Sequence, residues 1–288
     1  MNPYLLGACL VLLGGTCLSL SGIIVRNMDF AEGWQILFYR SQGSFLVVLA
    51  YILFKYRQKT VTAFLQIGSS GLVAGVVLGL GSISYLFALL HTTVANVAFL
   101  IGASPLFAAL GGWLFLKEKP SFSNFILMML VFGGVGLMIA DGYVTGGLLG
   151  NIFAMGAVLS GVTYILLVRN GRDIDMVPAT CLASVITLVI SGYMAESWLL
   201  TPKDMILSLI LGSLQFGMGF LLLTLGAKYI PAADTALFAL SESILNPLWV
   251  WLFINEVPTP LSLLGSAIVL ICVVSYSLNN MRLQRMPN

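Results

Sequence analysis

Charge is the scarcest property of this sequence. Asp, Glu, Lys and Arg make up only 8% of its 288 residues, against 59% hydrophobic. A soluble domain averages about 25% charged. A chain this poor in charge cannot cover a water-facing surface, so lipid must be the solvent for most side chains. In lipid every backbone polar group needs an internal partner, which leaves helices or a closed barrel. Barrel strands alternate apolar and polar residues. That alternation is missing from "SFLVVLAYILF" (44–54) and "LSLLGSAIVLICVVSY" (261–276), which are continuous and helix-length.

Other shortages narrow the function. A single His excludes a multi-His metal site. The four cysteines, Cys9, Cys17, Cys181 and Cys272, all fall inside apolar runs and read as small hydrophobes, without a disulfide framework or metal-ligand spacing. No Lys or Arg precedes the first apolar run, which exceeds a usual signal h-region, so a retained first span is expected. The basic residues form no patch, and no nucleic-acid partner is expected. No phosphate-binding Gly-rich loop follows a strand, so ATP is not the expected direct energy source, and no cofactor is expected. Intramembrane hydrolysis would want a nucleophile with its base, paired Asp residues or a His cluster. Their absence makes an enzyme the weakest of the readings. A channel is disfavoured because charge rings and carbonyl filters usually need rotational symmetry.

What is present is helical text. Breaks in it predict an all-α membrane protein of ten spans: 4–25, 34–54, 66–90, 94–116, 122–140, 146–168, 177–196, 205–228, 232–254 and 260–279. Counting Lys and Arg by side sets the orientation. Lys55, Arg57, Lys59, Lys117, Lys119, Arg169, Arg172, Lys228, Arg282 and Arg285 share one side with the N-terminus; Arg26 and Lys203 occupy the other. Both termini are therefore expected in the cytoplasm, with the chain in a bacterial inner membrane.

The chain also repeats itself. At an offset of 138, residues 93–139 lie over 231–277 without a gap: Trp113-Leu114-Phe115 meets Trp251-Leu252-Phe253, Glu118 meets Glu256, and Pro120 meets Pro258. At an offset of 143, Val25-Arg26-Asn27 meets Val168-Arg169-Asn170. The expected units are 1–142 (helices 1–5) and 143–288 (helices 6–10). Five is odd, so the second unit enters the membrane from the opposite side. Such inverted repeats are a transporter signature.

With its two five-helix halves and "GGWLFLKEKPSFSNFILMMLVFGGVGLMIA", the chain resembles the EamA-type branch of the drug/metabolite transporter superfamily. The resemblance implies secondary transport of a small metabolite, often outward. It places a cavity among helices 1–4 and 6–9, with helices 5 and 10 outside it, where they could support a homodimer. It matches Arg40 to an Arg of helix 2 and Glu242 to the Glu fourteen residues before the closing Glu of helix 9. Lys117 and Asn255 stand where the family tends to have Gly, and Ser243 departs from its Glu-Pro pair.

An ionisable group deep in a span costs about 2.5–3.5 kcal/mol on insertion scales. Arg40 lies about 10 Å into helix 2, and Glu242 about ten residues into helix 9. Neither recurs in the other half: Arg40 meets Ala183 and Glu242 meets Ser104. Two readings stand. The pair satisfies itself or nearby carbonyls, or both residues face the cavity, Arg40 for a substrate carboxylate and Glu242 for an amino group or the coupling proton. An amino-acid-like zwitterion would suit the second, exported or imported by alternating access on a proton or solute gradient. Gln42, Tyr85, Asn96, Ser104, Tyr164, Gln215, Ser241 and Asn246 are further candidates, since polar groups in spans either line cavities or join helices. Gly71, Gly75 and Gly79 predict close packing of helix 3. Glu118 and Glu256 read as structural turn residues facing the exposed N–H groups of helices 5 and 10. Ser121 and Thr259 would be N-caps, with Pro260 at the first helical position.

Overall fold

The computed structural model describes residues 3–29, 31–104, 106–107, 110–111, 113, 122–145, 147–170, 175–226, 229 and 232–285. Among these the regular structure is helical. α1 (Pro3–Leu18) and α2 (Ser21–Arg26) are followed by α3 (Gly33–Tyr56), α4 (Thr60–Gln66), α5 (Gly68–His91) and α6 (Val94–Gly102). Then come α7 (Phe122–Thr145), α8 (Leu148–Asn170) and α9 (Val177–Met194). α10 (Pro202–Ile210) runs through a π-helical stretch, Leu211–Met218, into α11 (Gly219–Gly226). α12 (Ala232–Ile254) and α13 (Pro260–Arg285) complete the order. Among the described residues, five stretches are long and apolar enough to cross a membrane: Pro3–Arg26, Gly33–Gln66, Gly68–His91, Val177–Met194 and Pro202–Gly226. Phe125–Asp141, Leu148–Tyr164 and Pro260–Tyr276 are shorter apolar helices.

Helix ends follow local chemistry. Glu32 and Gln35 form a reciprocal capping box at the start of α3. Thr93 and Thr201 accept the N–H groups of Asn96 and Asp204 and so cap α6 and α10. Thr259 accepts from the Ser262 N–H at 3.2 Å and Pro260 opens α13, as expected. Asn255, where the resemblance expected Gly, sits at φ 59°, the left-handed conformation that closes a helix and that Asn tolerates.

Three predicted segments differ. The first span is not one helix over 4–25 but breaks at Ser19–Leu20. Thr16, Ser19, Ser21 and Gly22 crowd that point, and Ser19 Oγ donates back to the Thr16 carbonyl at 2.7 Å, competing with the helical ladder. The eighth span contains the π-helical stretch. The presumed loop after helix 2 instead turns at Arg57 (φ 49°) into α4, which exposes Val61 and Leu65.

Helices of the two halves interleave. α5 packs on α8 and α1 on α11; α5 also packs on α9, and α3 on α10 and the π-helical stretch. α1 packs on α12 and α6 on α8, while α3–α9, α6–α12 and α7–α13 pair across the middle. Glycines set several approaches. A Cβ on Gly75 would lie 3.0 Å from the Ala179 carbonyl oxygen and one on Gly79 3.1 Å from that of Ala183, so two of the three predicted glycines form the α5–α9 contact, while Gly71 faces Ile67 just before its own helix. The largest buried cluster includes Leu37, Leu86, Leu89, Leu100, Met138 and Val250. Outside, Phe54 is 80% exposed and Ile271 65%, with Leu130, Leu252 and Phe253 also on the surface. Apolar exposure on this scale fits a lipid-facing surface, not a water-facing one.

Candidate functional site

Arg40 is pressed against the π-helical stretch. A Cβ on Gly212 would lie 1.8 Å from the Arg40 carbonyl oxygen, and one on Gly43 2.5 Å from that of Leu209. Glycine at both positions lets the two backbones meet and brings Gln215 and Phe216 to the guanidinium. Arg40 is 2% exposed. Its Nη1 donates to Ser82 Oγ at 2.6 Å and to the Ser82 carbonyl at 3.4 Å; Nη2 donates to Gln215 Oε1 at 3.4 Å. The guanidinium carbon sits 4.7 Å from the centroid of the Phe216 ring. Nε is buried without a partner. Among the described residues no carboxylate forms an ion pair with Arg40. A buried charge normally has such a partner; here hydrogen bonds and the Phe216 ring surround it instead.

Tyr85 lies one turn beyond Ser82 on the same face of α5. Its hydroxyl is 2.5 Å from Ser21 Oγ, at the restart of the broken first helix. Asn246 on α12 completes the junction. Its Nδ2 donates to Ser21 Oγ at 2.9 Å and to Tyr85 Oη at 3.4 Å, while its Oδ1 accepts the Gly22 N–H at 3.0 Å. Trp249 Nε1 donates to Ser19 Oγ at 3.0 Å. Pro247, inside α12, leaves one backbone acceptor free of its helical bond at the same level.

Glu242 stands one turn before Asn246, half-buried, and among the described residues it has no hydrogen bond or ion pair. It does not pair directly with Arg40. The charges of both residues act on the Tyr85 hydroxyl. Arg40, Ser82, Tyr85, Ser21, Asn246 and Glu242 thus form one polar row through an apolar interior.

The remaining candidates divide. Tyr164 Oη lies 3.4 Å from Thr180 Oγ1, and its side chain packs against the cluster of Leu78, Ala183 and Phe216. Ser104 donates back to the Ile101 carbonyl of its own chain turn. Ser241 Oγ is buried without a partner against Gly15, where a Cβ would lie 2.1 Å from it. Asn96 belongs elsewhere: its Nδ2 donates to Thr92 Oγ1 and Asn151 Oδ1, both at 3.4 Å. It lines a cavity of about 330 Å³ with Arg26, Asp141, Glu256, Thr259 and Ser262.

Sequence reasoning missed Ser82, Ser21 and Phe216. The spacing of Ser82 three residues before Tyr85 was the available signal for the first. It also missed Asp141, which is buried and accepts from Thr259 Oγ1 and Ser262 Oγ, both at 2.6 Å. Glu118 lies outside the described residues. Glu256 departs from its expected role. It does not serve the helix that follows it, whose first turn is already capped by Thr259. Its Oε1 accepts the Val94 N–H at the start of α6 at 2.8 Å, and its Oε2 accepts from Arg26 Nε at 2.7 Å.

Comparison with known proteins agrees with this architecture. The sequence model of the EamA-like transporter family matches residues 5–140 and 148–278. A Bacillus subtilis (strain 168) relative named "Uncharacterized transporter YwfM" is 24% identical over 280 residues, covering 94% of this chain and 82% of the relative. "Pseudopaline exporter CntI" of Pseudomonas aeruginosa (strain UCBPP-PA14) is 27% identical over 283 residues, 94% and 95% of the two chains. A solved chain described as "Crystal structure of protein" superposes with a TM-score of 0.64 at 16% identity, over 96% of this chain and 98% of that one.

Proposed function

The chain belongs to the EamA-like transporter family, and from that premise we propose that it is a secondary exporter of a small amino-acid-like metabolite. In this reading ten spans form two inverted five-helix halves, 1–142 and 143–288. The reciprocal packing of α5 on α8 and α1 on α11 supports that arrangement, since the offsets of the repeat exchange the two contacts. Both termini are cytoplasmic, as the distribution of Lys and Arg favours. A relative named as an exporter supports outward transport.

The observation that carries the reading is the unneutralised guanidinium of Arg40, held by Ser82, Gln215 and the Phe216 ring with Nε unspent. A substrate carboxylate takes up that donor. The substrate amino group lies toward Glu242, and Tyr85 spans the two. Glu242 is also the group that carries the coupling proton, being the ionisable side chain of the row that has no hydrogen bond or ion pair among the described residues. Rocking of one half against the other then exposes the row to alternate faces. Only a ligand that binds the two states differently shifts their balance.

A thermal-shift screen of the purified protein tests this. A ligand at 100 times its Kd stabilises by about 2.7 kcal/mol. Amino-acid-like carboxylates are expected to raise the melting midpoint of the native protein and to leave that of Arg40→Ala unmoved. Stabilisation by carboxylates that persists in Arg40→Ala contradicts the assignment.

A further inference from the structure

The repeated Glu phrase, which the central site does not use, forms a junction between the halves. Arg26 engages all three of its guanidinium nitrogens there. Nε donates to Glu256 Oε2 at 2.7 Å, Nη1 to the Leu89 carbonyl at 2.6 Å and Nη2 to the Thr92 carbonyl at 2.8 Å. Glu256 Oε1 accepts the Val94 N–H at 2.8 Å. One ion pair therefore ties together the end of α2, the end of α5, the start of α6 and the turn between α12 and α13. Arg26, Leu89, Thr92 and Val94 lie in the first family match and Glu256 in the second. Its two side chains are 24% and 19% exposed, between the usual weak surface pair and a buried one. It borders the 330 Å³ cavity.

We propose that Arg26 and Glu256 are the outer latch of transport: the outer face opens only when this pair separates. The proposal rests on the transporter reading and on its orientation. The charge pattern supports a moving contact over a turn fastener. A fastener needs the Glu alone, and Thr259 already caps α13. The sequence repeats both members instead: at an offset of 143 Arg26 corresponds to Arg169, and at 138 Glu256 corresponds to Glu118. The two halves carry the same pair of charges with the contributions exchanged. A tie between halves that rock against each other must break once per cycle. A charge-assisted pair facing a wet cavity is suited to this, because water replaces the lost partner.

The test reads access without transport. The four native cysteines are replaced, and a reporter thiol is introduced by Ser82→Cys, beside Arg40. Its alkylation by a membrane-impermeant maleimide is followed in intact cells and in inside-out vesicles. With the latch intact, labelling from outside is slow. Glu256→Gln keeps an acceptor for the Val94 N–H but removes the charge, and labelling from outside is expected to rise at least about fivefold. Arg26→Gln gives the same rise, and Arg26→Lys, which keeps the charge, gives less. Labelling within twofold of the parent in folded, monodisperse Glu256→Gln and Arg26→Gln overturns the latch. A rise seen only in inside-out vesicles overturns the orientation and places the latch on the inner face. If labelling rises in these variants while the chain with native Ser82 neither binds nor moves any amino-acid-like compound, the latch stands and the substrate proposal fails.

Discussion

Tyr85 Oη and Ser21 Oγ lie 2.5 Å apart, a contact that ties the broken first helix to α5. Asn246 reaches both groups. Leaving one member of a buried network unsatisfied costs about 1–3 kcal/mol. Tyr85→Phe and Ser21→Ala are each expected to lower the melting midpoint. Because they share one hydrogen bond, the double variant should cost less than the sum of the two. Strict additivity in a double-mutant melting cycle would show that the contact carries no energy.

Gly212 and Gly133 make a matched pair for testing the α3 crossing. A Cβ at Gly212 would sit 1.8 Å from the Arg40 carbonyl oxygen, whereas one at Gly133 meets nothing within 4 Å. Gly212→Ala is expected to destabilise by at least about 1–3 kcal/mol through overpacking and to weaken ligand binding at Arg40. Gly133→Ala should be neutral or slightly stabilising, since Ala is the better helix former. Melting of the two variants side by side checks this, and equal effects would refute it.

Arg40→Lys separates charge from geometry. Lys keeps the positive charge but loses the planar fork that engages Ser82 and Gln215 together. Carboxylate titrations followed by thermal shift are expected to show affinity reduced at least about tenfold. Unchanged affinity would mean that a point charge suffices.

The start of α13 depends on a hydroxyl pair held by Asp141. Thr259 caps Ser262 and donates to Asp141, and Ser262 donates to the same carboxylate oxygen. Thr259→Val removes the cap and one of these bonds at nearly constant volume, for an expected loss of about 0.5–2 kcal/mol. A melting midpoint equal to the native one would contradict it.

The helices were legible because apolar runs of this length have one solution in lipid. The starts at Val94, Phe122, Val177 and Pro260 were visible in Thr, Ser and Pro punctuation. Arg40, Tyr85, Gln215, Asn246 and Glu242 were visible as polar letters in apolar text. The break at Ser19–Leu20 was not, because apolar residues continue across it and the hydroxyls that cause it are common in spans. Ser82 and Ser21 were hidden for the same reason. Glu256 was misassigned because its partners are remote: Val94 lies 162 positions away and Arg26 230. Local sequence shows that a carboxylate sits beside a helix start, but not whose N–H groups it will meet.

The central claim is that Arg40 and Glu242 serve an amino-acid-like substrate from two ends of one polar row. Transport in proteoliposomes, loaded with a compound that stabilises the purified protein, tests it most directly. The account predicts that Arg40→Ala and Glu242→Gln each abolish transport while both variants insert, fold and stay monodisperse. Full transport by both would contradict it.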